Sequence, residues 1–358
     1  LEEHHISADV PYAIWQYWRM TDDDEFMRAA GAEVALECAR FWASRVEEGA
    51  DGRFHIRRVI GPDEYHETVD DNAFTNVMAQ WTLERAGDIA DWMRDAYPED
   101  WRTLRLRLSF DDGERAEWRE IAKRMYVGFD EDAGLIEQFA GFFELAEVDL
   151  KAFEPRTAPM DILLGRERTQ ASQVIKQADA LMIFHLLPDR YPREVIERNF
   201  RYYEPRTGHG SSLSPATHAL IAARLGDVNR AHRYFHQTAE IDLGRCVGNA
   251  AGGIHAAASG GLWQAAVFGF AGMRLRDGRL AFDPRLPEEW ERLRISLVYK
   301  RRRLRVAITG RPLRARIMLR EGDQPLAIVL GSLQAQVAPE SPVEAIYVNG
   351  EWRKEGGQ

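Results

Sequence analysis

Apolar residues recur at helical spacing along most of the chain before Arg274. Asp9 to Met20 repeats them every three or four positions, and Asp24 to Val46 resumes the pattern after the capping cluster Thr21-Asp22-Asp23. Ala73 to Arg94 carries a stripe of Val77, Met78, Trp81, Ile89 and Trp92, and Glu114 to Tyr126 follows an Asp111-Asp112-Gly113 turn. Ser172 to Leu187 is apolar nearly all round, interrupted by Lys176, Gln177 and Asp179, and is predicted to be a helix. Pro192 and Pro215 stand where a first helical turn needs no N–H, Gly226 closes the second of these helices and Asp227 caps the next. Trp263 to Gly272 reads as the last long helix. Helices joined by short turns predict antiparallel hairpins.

After Arg274 the period changes to two. Arg276-Asp277-Gly278-Arg279 is a turn between strand-like runs. Leu293 to Tyr299, Arg303 to Thr309 and Ala315 to Leu319 alternate, punctuated by Gly310, Pro312 and Gly322. The expected organisation is a helical domain over 1–273 and a small β-rich domain, a sandwich, over 274–358. The basic run Lys300-Arg301-Arg302-Arg303 alternates with Leu304 and Val306, which makes it a solvated strand face and not an anion site.

At 358 residues the chain can bury a large core. Its net charge of −10 argues against nucleic acid or an anionic membrane as partner, and admits a phosphate substrate only where the site is locally positive. Cys38 and Cys246 sit in apolar helical contexts and are expected as buried free thiols of a reducing, cytoplasmic compartment. Neither has metal-ligand spacing around it, and no cofactor or metal is expected. No apolar run reaches membrane-spanning length. The ten tryptophans are expected mainly in the core.

The chemistry concentrates in Ile60 to Asn76, which holds five carboxylates, His66 and a Gly61-Pro62 turn and leads into the helix at Ala73. On the plain reading Asp70, Asp71 or Asn72 caps that helix. On the sharper one, a carboxyl beside Tyr65 is shielded from water, keeps its proton near neutral pH and serves as a general acid. A second stretch, Thr207 to Ser214, contains no carboxylate. Its small residues, hydroxyls and following helix start suit a phosphate dianion, although on the residues alone a serine cap plus a tight Gly turn is the preferred account. Glu204 and Arg206 are expected as a buried structural pair flanking it. Lys176 on an apolar helix would ordinarily snorkel to solvent, whereas Lys176 and Gln177 near a helix start can hold sugar hydroxyls.

Four ordered blocks connect these stretches: Gly61-Pro62-Asp63-Glu64-Tyr65-His66; Lys176-Gln177-Ala178-Asp179; Tyr202 to Thr207 running on to His209 to Ser214; and Gly253-Ile254-His255 with Gly260-Gly261-Leu262-Trp263-Gln264. With the opening His5-Ile6-Ser7-Ala8-Asp9, they resemble glycoside hydrolase family 65, the maltose, kojibiose and trehalose phosphorylases. The resemblance implies a mainly α chain, an (α/α)6 barrel followed by a small β-sandwich, with the active site on loops between helices. It implies Glu64 as the general acid and Lys176 and Gln177 as ligands of the nonreducing glucose. His209, Ser211, Ser212 and His255 would seat phosphate, with Ser259, Gly260 and Gly261 leaving room for its oxygens.

The expected reaction is inverting phosphorolysis of an α-glucosyl disaccharide to β-glucose 1-phosphate. The partners are therefore the sugar and inorganic phosphate, with a homodimer of the full-length protein as the expected assembly. The alternatives are an inverting hydrolase of the same family and an inactive fragment that needs its N-terminal half. Gly210 departs from the family's usual Asp, and Ala256 and Ala257 from its usual hydroxyl residues. The chain opens at Leu1 directly into a family motif, and the expectation is that the N-terminal sandwich and the first part of the barrel are missing.

Overall fold

The computed structural model describes residues 2–156, 158–244 and 253–355. Cys246 lies outside them. The chain divides into two compact units, residues 1–18 with 23–210 and residues 19–22 with 211–358. Helices of seven or more residues are numbered α1 to α10 below, and strands of three or more β1 to β9.

The first unit is helical. It takes in most of α1 (Ile6–Thr21), then α2 (Ala32–Arg45), α3 (Ala73–Ala96), α4 (Pro98–Leu108), α5 (Asp112–Arg124), α6 (Ala180–Leu186) and α7 (Arg193–Tyr203). A π-helical turn, Met27–Gly31, runs into α2, so the helix expected from Asp24 to Val46 is one run with an under-wound π-bulge near its start. Asp111 and Glu114 form a reciprocal capping box on α5. The indoles of Trp15, Trp18, Trp81 and Trp92 pack on one another, Trp18 and Trp92 with centroids 4.4 Å apart. Trp42 and Trp118 are fully buried, and among the described tryptophans only Trp263, in the second unit, is exposed. Cys38 is half-buried and not a core thiol, and burial pushes its pKa up.

The predicted helix from Ser172 is the main departure. Only Ala180–Leu186 is helical, and residues 172–179 run as irregular chain. Their backbone groups are spent elsewhere. The Ile175 N–H donates to Arg206 O at 3.0 Å, and the Gly208 and Gly210 N–H groups donate to Ile175 O at 2.7 Å and Lys176 O at 3.1 Å. The segment is buried on both sides, so its apolar run mimics a buried helix in sequence.

The second unit carries α8 (Ser214–Leu225), α9 (Val228–Leu243) and α10 (Ala256–Gln264), the last extended by a π-helical turn, Ala265–Phe270. The final helix thus starts seven positions earlier than Trp263. Gly226, at φ +90°, ends α8, and Asp227 caps α9 through the Arg230 N–H. Its strands are β1 (Arg274–Arg276), β2 (Arg279–Phe282), β3 (Arg292–Tyr299), β4 (Arg302–Thr309), β5 (Arg314–Glu321), β6 (Leu326–Leu330), β7 (Leu333–Val337), β8 (Val343–Val348) and β9 (Glu351–Lys354).

They form one sheet of order β7-β6-β2-β1 and another of order β9-β8-β5-β4-β3, antiparallel throughout except β6 with β2. Leu280, Phe282, Ile328 and Leu330 of the first share a core with Ile295, Val306, Ile317 and Ala345 of the second, which makes a sandwich. Lys300 and Arg301, both at positive φ, make the β3–β4 turn without a glycine. Lys300 is held there by its N–H on Met20 O at 2.7 Å and its ammonium 3.2 Å from Asp22. The basic run is therefore partly a turn, not wholly a strand face.

Candidate active site

Glu64 sits on the loop between Val59 and Asn72, and the loop's shape follows from two buried carboxyls. The Asp63 side chain is almost fully buried and accepts four N–H groups. Its Oδ1 takes the Tyr65 amide at 3.2 Å and the Lys176 amide at 2.8 Å; its Oδ2 takes His66 Nδ1 at 2.6 Å and Gln138 Nε2 at 3.0 Å. That uses every lone-pair direction of a carboxylate. Asp179, equally buried, accepts the Asp63 N–H at 3.1 Å and the Asn72 amide at 3.0 Å. Burial, and then the nearby Asp63 charge, push the Asp179 carboxyl up to about 7.

Asn72 has a second role. Its Oδ1 accepts the Thr75 N–H at 2.9 Å, so of the three candidate caps on α3 it is Asn72 that caps, while its Nδ2 reaches Asp179 and Gln138 O. Asp71 binds His55 Nδ1 at 2.8 Å and the Ile56 N–H, Asp70 binds the Arg58 N–H at 2.9 Å, and Glu67 pairs with Arg166. Gly61 is required by close approach. A Cβ there would stand 2.7 Å from Asn72 Cγ and closer still to Asn72 Nδ2 and Asp179 Oδ2.

His66 is buried between Asp63 and the Ser172 carbonyl, 2.8 Å from its Nε2. Burial pulls the imidazole down, but the Asp63 hydrogen bond and charge outweigh it and leave the pKa raised. The Tyr65 hydroxyl donates to Asp161 at 3.2 Å, and burial with the Asp161 charge push the phenol up to about 12. A Cβ at Gly210 would stand 2.6 Å from that hydroxyl, which is a physical reason for glycine there.

Within this frame Lys176 and Gln177 are brought to Glu64. Lys176 Nζ donates to Glu64 Oε2 at 2.8 Å, and Gln177 Nε2 to Oε1 at 3.2 Å and to Pro62 O at 2.6 Å. The shielding expected of the acid is not found: the Glu64 side chain is 45% exposed, and the buried carboxyls of the motif are Asp63 and Asp179. Among the described residues the buried Gln177 carbonyl oxygen has no hydrogen-bond partner. Lys176 and Gln177 leave the bound chain described above, not a helix start.

The residues expected at phosphate fall in both units. His209, at φ +49°, lies one residue before the end of the first. In the second, Ser211 Oγ accepts the Leu213 N–H at 3.2 Å and Ser212 precedes α8. His255 stands at the N-cap of α10, with its Nδ1 2.8 Å from Asp242 Oδ1 and its N–H 3.0 Å from Asp242 Oδ2. This fixes the imidazole, and among the described residues its Nε2 has no partner. The hydrogen bond from His255 holds the Asp242 carboxyl below the usual range. Gly261 does not leave room for oxygens: it lies in α10, where a Cβ would stand 2.7 Å from Ala216 Cβ of α8, so it serves helix packing. Arg206 does not pair with Glu204. It binds Glu147, Gln173 Oε1 at 2.9 Å and Tyr202 O, stacked 3.9 Å from the Tyr202 ring. Asp242, and the bonding of Asp63 and Asp179, were missed from sequence, since nothing local marks which carboxyl a distant loop will meet. Among the described residues there is no cluster suited to a metal, and no helix is long and apolar enough to cross a membrane.

The fold is one of helical hairpins followed by a β-sandwich, with a carboxylate met by a lysine and a glutamine from a distant loop. Residues 1–264 match the glycosyl hydrolase family 65 central catalytic domain and residues 273–332 the glycosyl hydrolase family 65 C-terminal domain. The chain belongs to glycosyl hydrolase family 65. It is 42% identical over 308 residues to the kojibiose phosphorylase of Halothermothrix orenii, covering 86% of this chain and 39% of that protein. It is 33% identical over 348 residues to the alpha,alpha-trehalose phosphorylase of Geobacillus stearothermophilus, covering 97% and 45%. Against the nigerose phosphorylase of Lachnoclostridium phytofermentans the identity is 37%, over 83% and 40%. A solved structure from the human microbiome, assigned provisionally as a kojibiose phosphorylase, superposes with a TM-score of 0.87 at 26% identity, covering 96% of this chain and 50% of that one. The fold class is thus that of an (α/α)6 barrel with a β domain. The chain spans about two fifths of the length of the curated relatives it matches first.

Proposed function

We propose that this chain carries the acid half of an inverting disaccharide phosphorylase, one that cleaves an α-glucosyl disaccharide to β-glucose 1-phosphate and a free sugar. The observation that carries the reading is the convergence of Lys176 and Gln177 on the Glu64 carboxylate. A general acid must stand at the leaving oxygen, and donors beside it can hold the hydroxyls of the glucose being transferred. Phosphate supplies its own nucleophile, so the second site needs donors and no base.

Support for those donors comes from Ser211 and Ser212 before α8 and from His255, whose other ring nitrogen Asp242 fixes and whose Nε2 has no partner among the described residues. The relatives' names support phosphorolysis over hydrolysis, and Thr207 to Ser214 offers no carboxylate to activate water. On this reading residues 1–273 form the catalytic domain and 274–358 the C-terminal one. The protein as it occurs naturally, given kojibiose, trehalose, nigerose or maltose in turn, should consume one of them in proportion to phosphate. Proton NMR of the first-formed product should show the β-anomer of glucose 1-phosphate. Equal glucose release without phosphate would make it a hydrolase, and an α-anomer would exclude inversion.

A further inference from the structure

Asp179 touches neither Lys176 Nζ nor the Glu64 carboxylate, yet the acid loop hangs from it. Its Oδ2 holds the Asp63 N–H, the amide one residue before Glu64, and both its oxygens meet the Asn72 amide at the loop's other end. Asp63 in turn accepts the Tyr65 N–H on the far side of Glu64. The peptides flanking Glu64 are thereby pinned on both sides, and Gly61 lacks a Cβ where Asn72 and Asp179 come close. The Lys176 N–H is bound to the same Asp63 carboxylate, so one buried cluster places both the acid and the cation beside it.

We propose that Asp179 is the positioning residue of this site, acting through the Asp63 amide and the Asn72 side chain to fix the Glu64 backbone. The inference rests on the reading of Glu64 as the acid. The charged or titratable groups around Asp179 are Asp63, His66, His5 and the Tyr203 phenol. The raised Asp179 carboxyl carries a proton over part of the neutral range, so a neutral acceptor of the same shape suffices to hold the Asp63 N–H. Asn in its place keeps one such oxygen, whereas Ala keeps none.

The test compares Asp179→Asn and Asp179→Ala in the protein as it occurs naturally, by disaccharide turnover and by amide hydrogen exchange over residues 61–66. Ionised Asp179 repels the buried Asp63 carboxylate beside it, so the parent protein's kcat should decline as pH rises through about 7, whereas Asp179→Asn should keep kcat within about threefold, keep the protection of the loop and remove that decline. Asp179→Ala should lose protection at Asp63 and Glu64 and lower kcat on the order of tenfold or more, with sugar KM changed far less. Should Ala fail to fold, the pH profile and exchange of the Asn variant decide alone. Equal loss in both variants, or an Asn variant with the parent's alkaline decline, would overturn the proposal, as would unaltered protection and kcat in Ala. Glu64→Gln, assayed alongside, reports on the acid itself: full turnover there would sink that assignment, while hydrogen exchange would still decide what Asp179 holds.

Discussion

Lys176 Nζ lies 2.8 Å from Glu64 Oε2, so the cation expected to hold the sugar is bound instead to the expected acid. The two are partly exposed, at 25% and 45%, and their pairing adds little to stability. Its significance is geometric. On the proposed reading, a carboxyl that must meet a glycosidic oxygen would part from the ammonium as sugar enters, and Lys176 would turn to a hydroxyl. Lys176→Ala should therefore raise sugar KM on the order of ~10- to 100-fold, the loss of one charged donor, and leave phosphate KM nearly unchanged. An equal rise in both constants would argue that Lys176 acts on the loop as a whole.

Glu64→Gln should leave the melting temperature within a degree or two, since the side chain is half exposed, and lower turnover of a poor leaving group by ~10²- to 10⁴-fold. Retention of near-parental turnover takes Glu64 out of the mechanism.

Ser211→Ala, Ser212→Ala and His255→Ala should each raise phosphate KM more than sugar KM, by a loss on the order of ~1.5–3 kcal/mol per donor. Asp242→Asn supplies a sharper check. It keeps the shape but weakens the contact that fixes the imidazole, so it should shift phosphate KM in the direction of His255→Ala and by less. An Asp242→Asn protein with unaltered phosphate KM would show that the His255 ring needs no anchor.

Much of this was legible in the sequence, and the failures share a cause. The α3 cap, narrowed to Asp70, Asp71 or Asn72, the Gly226 and Asp227 junction and the alternation of β3 to β5 were readable because each is local: a side chain meeting an amide three residues on, a glycine at positive φ, a strand with one wet face. Residues 172–179 were misread because an apolar run cannot tell a buried helix from buried irregular chain, and the bonds that decide it come from Asp63 and from residues 206–210. The motif pointed to Glu64 as the acid, but its buried carboxyls proved to be Asp63 and Asp179, since burial is a property of the assembled loop.

Stability should fall on the alkaline side. Asp179, raised from an ordinary 3.8 to about 7, binds its proton more tightly folded than unfolded. Folding is thus weakened progressively as pH rises from near 4 through about 7, and the loss then stays constant above that. His66, also raised, contributes stability below its unfolded value of 6.5 that is lost as pH climbs through its folded one. The melting temperature should be lower at pH 8 than at pH 5.5, and Asp179→Asn should shrink the difference. A melting temperature that rises over that interval, or an Asn variant with the same drop, would contradict the assignment.

Gly61→Ala should destabilise by about 1–3 kcal/mol, because the Asn72 amide and the Asp179 carboxylate it would strike are both held by other bonds and cannot swing aside. Chemical denaturation measures this directly, and an unchanged midpoint would mean the loop has slack that its bonding does not show.

The bonds that hold Glu64 in place also set when the site can come into being. Lys176 and Gln177 meet it across 112 and 113 residues of sequence, and Asp179 meets the Asp63 amide across 116. On a ribosome adding ~5–20 residues per second, the segment that bonds the acid follows it by ~6–25 seconds. Until then the loop from Gly61 to His66 has its internal Asp63 contacts to Tyr65 and His66 but lacks those from Lys176, Gln177 and Asp179, although α3 has already been made. Closing so long a contact has an entropic cost that local helix formation does not share. A folding chain should therefore show native helix signals well before it shows any affinity for sugar.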